Sequence, residues 1–387
     1  MKSKMLLTLA ALLVVAGLTT VRLVNANLGP VQAGGGPSSS AFKVLEPIRH
    51  GNLTVFPVVA PKSYATNEFL TLDEGLRSGE VVVTEYGNVS GLLRRRSPPA
   101  MQRDIAEVNR LVLINNAKRP LLLLAGEIVT GGKQDRVIGK DRIVPSESDP
   151  VDLGVFCVEP GRWVASSDHF GASGTTYASG TAGGGGVSSG TLMAQPSVRA
   201  KAMGDKDQNQ VWAEVRKQQQ SMTVEVAAGA SAVNADEIRS TSSYARVMEN
   251  KDVKEKVDEV AQPIEQNYQS LIKQLRDRKA VGVVVAVNGR IIWSDVFASA
   301  ELLERYWPKL VRSYASEAVV TRAKGGEASL AQAEAFLGEM EGRRETIESE
   351  PGVYRHTEIN GDGFKAFALT SLLPKTGFDL HVAKMAE

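Results

Sequence analysis

Apolar and polar positions along the 387-residue chain change their period twice, and each change marks a structural boundary. From Asn52 to Val164 the pattern is mostly that of strands. Leu53–Val59 alternates between apolar and polar, with Pro57 suited to an edge position because it cannot donate to a ladder. Thr71-Leu72-Asp73-Glu74 is a capping box: the Thr oxygen accepts from the third amide while Glu74 reaches back. Gly79 supplies a stop, so a two-turn helix is predicted at Thr71–Ser78. Strand-like runs follow at Glu80–Glu85, Val108–Asn115, Pro120–Ala125, Arg136–Val144 and Leu153–Val158. Leu111–Ile114 and Leu121–Leu124 are continuous apolar runs, as expected of strands covered on both faces.

The period then becomes helical. Val253, Val257, Val260, Ile264, Tyr268, Leu271 and Leu275 recur at steps of three and four, a stripe that predicts packing against the sheet. Pro263 is expected to kink that helix or to start a second one. Alternation returns at Val281–Val287 and Arg290–Trp293, joined by Asn288-Gly289, a pair suited to the positive φ angles of a two-residue hairpin. Ser299–Val319 is a second amphipathic helix, with Leu302, Tyr306, Leu310 and Tyr314 on one ridge and Pro308 inside it. Three short strands are predicted near Val353–His356, Phe364–Leu369 and Phe378–Val382. Strands, then helices, then strands predict an α+β fold: a mixed or antiparallel β-rich unit with a helical insertion, then a returning hairpin and helix.

The first 26 residues carry a different message. Lys2 and Lys4 precede a 14-residue apolar run, Met5–Leu18, and Val24-Asn25-Ala26 offers small residues where a signal peptidase cuts. A second possible cut follows Ala33. The alternative is an uncleaved anchor through Val24, which Arg22 interrupts before about 20 apolar residues are reached. Cleavage after Ala26 removes Lys2, Lys4 and Arg22 and no acidic residue, taking the net charge from +1 to −2. The expected product is periplasmic or secreted. Residues 27–44, rich in Gly, Ser and Pro at their start, read as a flexible tether, and Gly171–Gly190 as a disordered glycine-rich loop.

Composition narrows the chemistry. A nearly balanced charge argues against nucleic-acid binding driven by a basic surface, and Arg94-Arg95-Arg96 has no aromatic platform beside it. The single cysteine, Cys157, excludes an intramolecular disulfide and cysteine-based zinc sites; with only four histidines, no metal site is expected.

Two segments concentrate useful side chains. In the first, a buried strand runs into Gly126-Glu127 and then Gly131-Gly132-Lys133-Gln134-Asp135-Arg136. Glycines let a ligand approach the backbone, and Lys133 with Arg136 could hold an anion. This is not a Walker loop, since Glu127 stands at the first glycine position and Gln134 replaces the magnesium-binding hydroxyl. The plain alternative is a hairpin with solvated charges. The second segment is Cys157-Val158-Glu159-Pro160-Gly161-Arg162-Trp163. Glu159 with Glu127 could form an acid/base pair, Arg162 and Trp163 could clamp a phosphate and stack on a ring, and Cys157 could be a nucleophile with His169 as its base. A cysteine in an apolar strand is more often a small core residue.

Together these residues resemble the ARG and rhodanese-phosphatase-superfamily-associated protein domain. The resemblance rests on Gly126-Glu127, Gly132-Lys133-Gln134 with Arg136, Cys157-Val158-Glu159 and Gly161-Arg162-Trp163, and it continues through Val281–Phe297, Trp307 and Tyr314. It implies one domain over residues 45–385, divided into a β-rich part (45–165), the glycine-rich loop (171–190), a helical part (195–279) and a closing part (280–385). Asp135 stands where the family's Lys-Gln-Asn-Arg run has Asn, adding a negative charge. The resemblance implies a ligand such as a nucleotide or an ADP-ribose-like metabolite, and leaves cofactor and reaction unassigned. The expected ligand-binding set is Gly126, Glu127, Gly132, Lys133, Gln134, Arg136, Glu159, Arg162 and Trp163, around an anionic small molecule. Glu127, Glu159 and Cys157 are the catalytic candidates. The competing reading is a non-catalytic envelope module for protein interaction, in which the same motifs are turns and buried ion pairs.

Overall fold

The computed structural model describes residues 42–85, 110–161, 169–171, 191–229, 232–275, 279–322 and 325–387. The signal segment, nearly all of the tether, Arg94, Arg162, Trp163 and residues 172–190 lie outside that set. The first part of the chain supplies β1 (Lys43–Val44), β2 (Ile48–His50), β3 (Leu53–Ala60), β4 (Leu70–Thr71), α1 (Leu72–Ser78), β5 (Val81–Glu85) and β6 (Arg110–Asn115). It continues through β7 (Leu121–Leu123), β8 (Glu127–Gly131), β9 (Arg136–Ile138), β10 (Arg142–Val144), β11 (Val151–Cys157), β12 (His169–Gly171) and β13 (Leu192–Met193). The helical part holds α2 (Pro196–Ala200), a π-helical turn at Lys201–Asp205, α3 (Gln208–Gly229), α4 (Ala232–Ser240), α5 (Tyr244–Glu249) and α6 (Lys251–Gln274). The closing part is β14 (Lys279–Val287), β15 (Arg290–Phe297), α7 (Ala300–Val320), α8 (Leu330–Gly338), β16 (Arg343–Glu350), β17 (Tyr354–Gly361), β18 (Phe364–Ser371) and β19 (Asp379–Ala386). The fold is α+β, as the alternation of periods implies.

Antiparallel pairing builds a nine-stranded sheet in the order β1-β3-β14-β15-β19-β18-β17-β16, with β2 also on β3. Asn288 and Gly289 take φ of 51° and 75° at the β14–β15 turn, the geometry that the Asn-Gly pair favours. Alternate residues face different layers. Val55, Val283 and Val285 pack with Leu302, Tyr306 and Leu310 of α7, whereas Phe56, Val58 and Val284 pack with Ala328 and Ala333 around α8. Covering both faces is why all eight residues of β3 are buried.

A second sheet closes on itself. Its order is β12-β5-β6-β11-β9-β8, and β12 also pairs with β8, so these six strands form a ring, with β13 attached to β8. Val81, Val83, Leu111, Leu113, Leu153 and Val155, alternate positions of three ring strands, share one apolar cluster with α1. The α1 helix carries the expected Thr71/Glu74 capping box and ends at Gly79 in the left-handed region.

Several expectations change. Pro57 is not at an edge: β3 lies between β14 and the short strands β1 and β2. The missing N–H is tolerated because β2 pairs only to Val55 and β1 only from Val58, leaving Pro57 in the gap. The predicted strand Arg136–Val144 is two strands, broken at Gly139–Asp141. Pro263 lies within a continuous α6. The stripe of α6 packs chiefly on α7, with Tyr268 stacked on Trp307 at 4.1 Å between ring centroids, rather than flat on the sheet. Lys43–Val44, placed in the tether, already form a strand. Strands β8 and β16 and helix α8 have no counterpart among the predicted elements; β16 is a charged, largely exposed edge, the kind of strand that carries little apolar signal.

Candidate functional site

The turn between β8 and β9 is built by its backbone and by Asp135. Gly131 and Gly132 have φ of 131° and 51°, a region other residues enter at a cost. A Cβ on Gly132 would fall 2.3 Å from the Phe170 ring, so the position requires glycine. The Asp135 carboxylate accepts from Gly131 N at 3.1 Å and from the Ser243 hydroxyl at 2.6 Å. Its own amide donates to Glu159 Oε2 at 3.1 Å, and its carbonyl accepts from Val158 N at 3.0 Å. The two sequence segments therefore meet here. The negative charge that Asp135 adds is absorbed by two donors instead of facing a ligand.

Around this turn the expected residues divide. Lys133 is partly exposed, its amide donating 2.7 Å to Glu85 and its ammonium 3.9 Å from the same carboxylate. Arg136 is buried, with Nη1 3.4 Å from the Asp135 carbonyl. Gln134 is fully buried, and among the described residues neither atom of its carboxamide has a hydrogen-bond partner. Glu159 is buried beside Asp135.

Glu127 leaves this group. It begins β8, four residues before Gly131 and so about 13 Å along the strand. Its Oε2 accepts from Leu124 N at 2.8 Å, and its Oε1 lies 2.5 Å from Lys309 Nζ. The same ammonium reaches Asp73 at 2.8 Å and Thr191 Oγ1 at 3.1 Å, 4.7 Å from the Tyr306 ring centroid. Burial raises the Glu127 carboxyl above its usual range, and the nearby Asp73 charge adds to the rise. Burial alone would pull Lys309 down; its two carboxylates outweigh that and hold it charged. Among the described residues the cation beside Glu127 is Lys309, which it shares with Asp73. Their sequence signals are slight: a lysine set among Tyr306, Trp307, Leu310 and Val311, and an acid inside a capping box.

Gly126 also proves internal. At φ 96°, a Cβ there would stand 2.6 Å from Arg199 Cγ. Arg199 is fully buried, bidentate on Asp295 at 2.8 and 2.9 Å and 4.4 Å over the Trp293 ring. Asp295 also accepts from Tyr314 and lies 3.1 Å from His381 Nε2. His381 Nδ1 is 2.5 Å from Asp141, whose other oxygen accepts from Ala125 N at 2.7 Å. Burial opposes charge on His381, but the two aspartates outweigh it and lift the imidazole to about 9. Burial would likewise raise Asp295; Arg199 and His381 outweigh it and keep the carboxyl well below its ordinary value. Two cations and two anions balance in a sealed network.

Cys157 is a core residue. It is buried, its backbone is bonded on both sides to the Gln208 side chain (2.8 and 2.9 Å), and burial pushes its thiol to about 11, leaving almost no nucleophilic thiolate at neutral pH. Among the described residues no group of three or more His, Cys, Asp or Glu could hold a metal ion.

Fold and site together define an α+β protein in which a closed six-stranded ring joins a nine-stranded sheet through buried ion pairs. Residues 41–383 match the family model of the ARG and Rhodanese-Phosphatase-superfamily-associated Protein domain, and the chain belongs to that family. No curated protein and no solved structure matches it.

Proposed function

We propose that this is an exported member of its family that binds a small molecule of the nucleotide or ADP-ribose class at the Gly131–Arg136 turn beside Glu159. The observation that carries the reading is the Gln134 carboxamide, buried with its donor and its acceptor both unused. An unsatisfied buried polar group costs about 1–3 kcal/mol, and a ligand edge offering one donor and one acceptor would recover that. The N6/N7 edge of adenine is such a partner for a glutamine amide. Among the described charges near the turn, Glu85, Asp135 and Glu159 outnumber Lys133 and Arg136, which suits a base or ribose there better than a phosphate. The phosphate and the ring stack fall to Arg162 and Trp163 in this reading. Glu127, held on Lys309 at the far end of β8, has no part in this reading, which is of binding.

Thermal shift of the mature chain with AMP, ADP, ADP-ribose and ribose 5-phosphate tests it. The adenine-bearing ligands should raise the melting temperature and ribose 5-phosphate should do so less. Gln134→Leu should erase the difference without lowering the unliganded melting temperature. If no ligand shifts the wild type, the reading fails. Export is tested separately: N-terminal sequencing from cell fractions should find a start at Asn27, and an intact Met1 on soluble cytoplasmic protein would contradict it. The structural-module reading is favoured by one observation, that Glu127 pairs with Lys309 in the interior while Gly126 packs against Arg199.

A further inference from the structure

A cavity of about 320 Å³ lies where the ring, the large sheet and the π-helical turn meet. That volume is at the lower end of small-molecule sites. Phe156, Met203, Ile347 and Phe367 make most of its wall apolar. Its ionisable wall residues are Lys140, Lys206 and His356, and no carboxylate among the described residues lines it.

Three features make it a built site. His356 is 1% exposed, and among the described residues neither ring nitrogen has a hydrogen-bond partner. Burial lowers the imidazole below its ordinary value, so at neutral pH it presents one donor and one acceptor. Gly154 leaves the space open, since a Cβ there would meet nothing within 4 Å. The backbone beside it is irregular: the π-helical turn ends at Lys206, at φ 54°, and π-helical turns recur at functional sites. Lys140 pairs with Glu348, and Lys206 Nζ lies 2.7 Å from Glu358, but both carboxylates stand outside the wall. An ammonium carries three N–H donors, so each lysine keeps capacity for a second acceptor.

We propose that this cavity binds a small apolar monocarboxylic acid, its carboxylate taken by His356, Lys140 and Lys206 and its hydrocarbon body by Phe156, Met203, Ile347 and Phe367. The cavity shares no residue with the Gln134 turn, and the two proposals stand or fall separately.

Isothermal titration of the full chain with octanoate and 3-phenylpropionate, against octanamide and 3-phenylpropanamide, tests it. The acids should bind saturably, and the amides at least about tenfold more weakly, the size of one lost charge-assisted hydrogen bond. Gly154→Leu should fill the cavity and remove acid binding, with its fold checked by circular dichroism. Lys206→Met, with its fold checked in the same way because Lys206 also meets Glu358, should weaken the acids about tenfold and leave the amides unchanged. Absence of acid binding up to millimolar concentration overturns the proposal. So does equal affinity for acid and amide, or acid binding that survives both substitutions.

Discussion

His381 Nδ1 lies 2.5 Å from Asp141 Oδ2, across 240 residues of sequence. Asp141 sits in the break between β9 and β10, against the ring, and His381 in β19 of the large sheet. The contact therefore ties the two sheets together with charge instead of hydrocarbon. Because Arg199 and Asp295 complete the network, no member is buried without a counter-charge.

Stability should fall on the alkaline side through His381. Its imidazole is lifted from 6.5 to about 9, so the folded state holds a proton that the unfolded chain releases earlier. The contribution is complete below about pH 6.5 and is lost as pH rises through about 9, in total about 3 kcal/mol. Urea midpoints at pH 6, 7.5 and 9 should show this loss in the wild type. His381→Gln should be less stable at pH 6 and nearly flat over the same interval. Parallel pH curves for the two proteins would rule out His381 as the cause.

Removing Lys309 should be expensive. Lys309→Met leaves Glu127, fully buried, without its cation, a change that costs about 3–5 kcal/mol when one partner of a buried pair is lost. Lys309→Met with Glu127→Gln should recover part of that, since the fully buried charge is gone and only the Asp73 carboxylate is left without Lys309. Guanidinium unfolding of both variants measures the difference, and a double variant no more stable than the single one would show that packing, not charge, is at stake.

Two glycines with the same sign of φ should respond differently to alanine. Gly79, at φ 71° with nothing within 4 Å of a Cβ, should lose only the left-handed penalty of about 1–2 kcal/mol. Gly126, at φ 96°, would drive its Cβ into Arg199, which Asp295 holds in place. Overpacking adds about 1–3 kcal/mol, so Gly126→Ala should be clearly the more damaging. Equal melting temperatures for the two variants would mean that Arg199 shifts freely.

Asp135 should matter to the turn more than its charge suggests. Asp135→Ala removes the acceptor of both Gly131 N and Ser243 Oγ, at about 1–3 kcal/mol for the donors left in the interior. Hydrogen exchange should then speed up at Gly131. Protection unchanged there would show that the glycine backbone holds the turn unaided.

Features carried by neighbours along the chain are legible from the residues alone. The Thr71/Glu74 capping box needs residues three apart, the Asn288-Gly289 turn two adjacent residues, and the buried run Leu111–Ile114 only its own apolarity. The meeting of Asp135 with Glu159 follows from two strands paired in one ring. Contacts set by the path of the chain are not legible in this way. Glu127 can be seen to need a cation after an apolar strand, but which cation depends on α7 crossing above it, 182 residues later. Charge leaves no periodic trace: a buried lysine and a solvated one look alike in sequence, whereas a buried valine repeats with its helix or strand. The cavity around His356 is the extreme case. It exists only because two sheets and a π-helical turn fail to close over Gly154, and empty space has no residue to announce it.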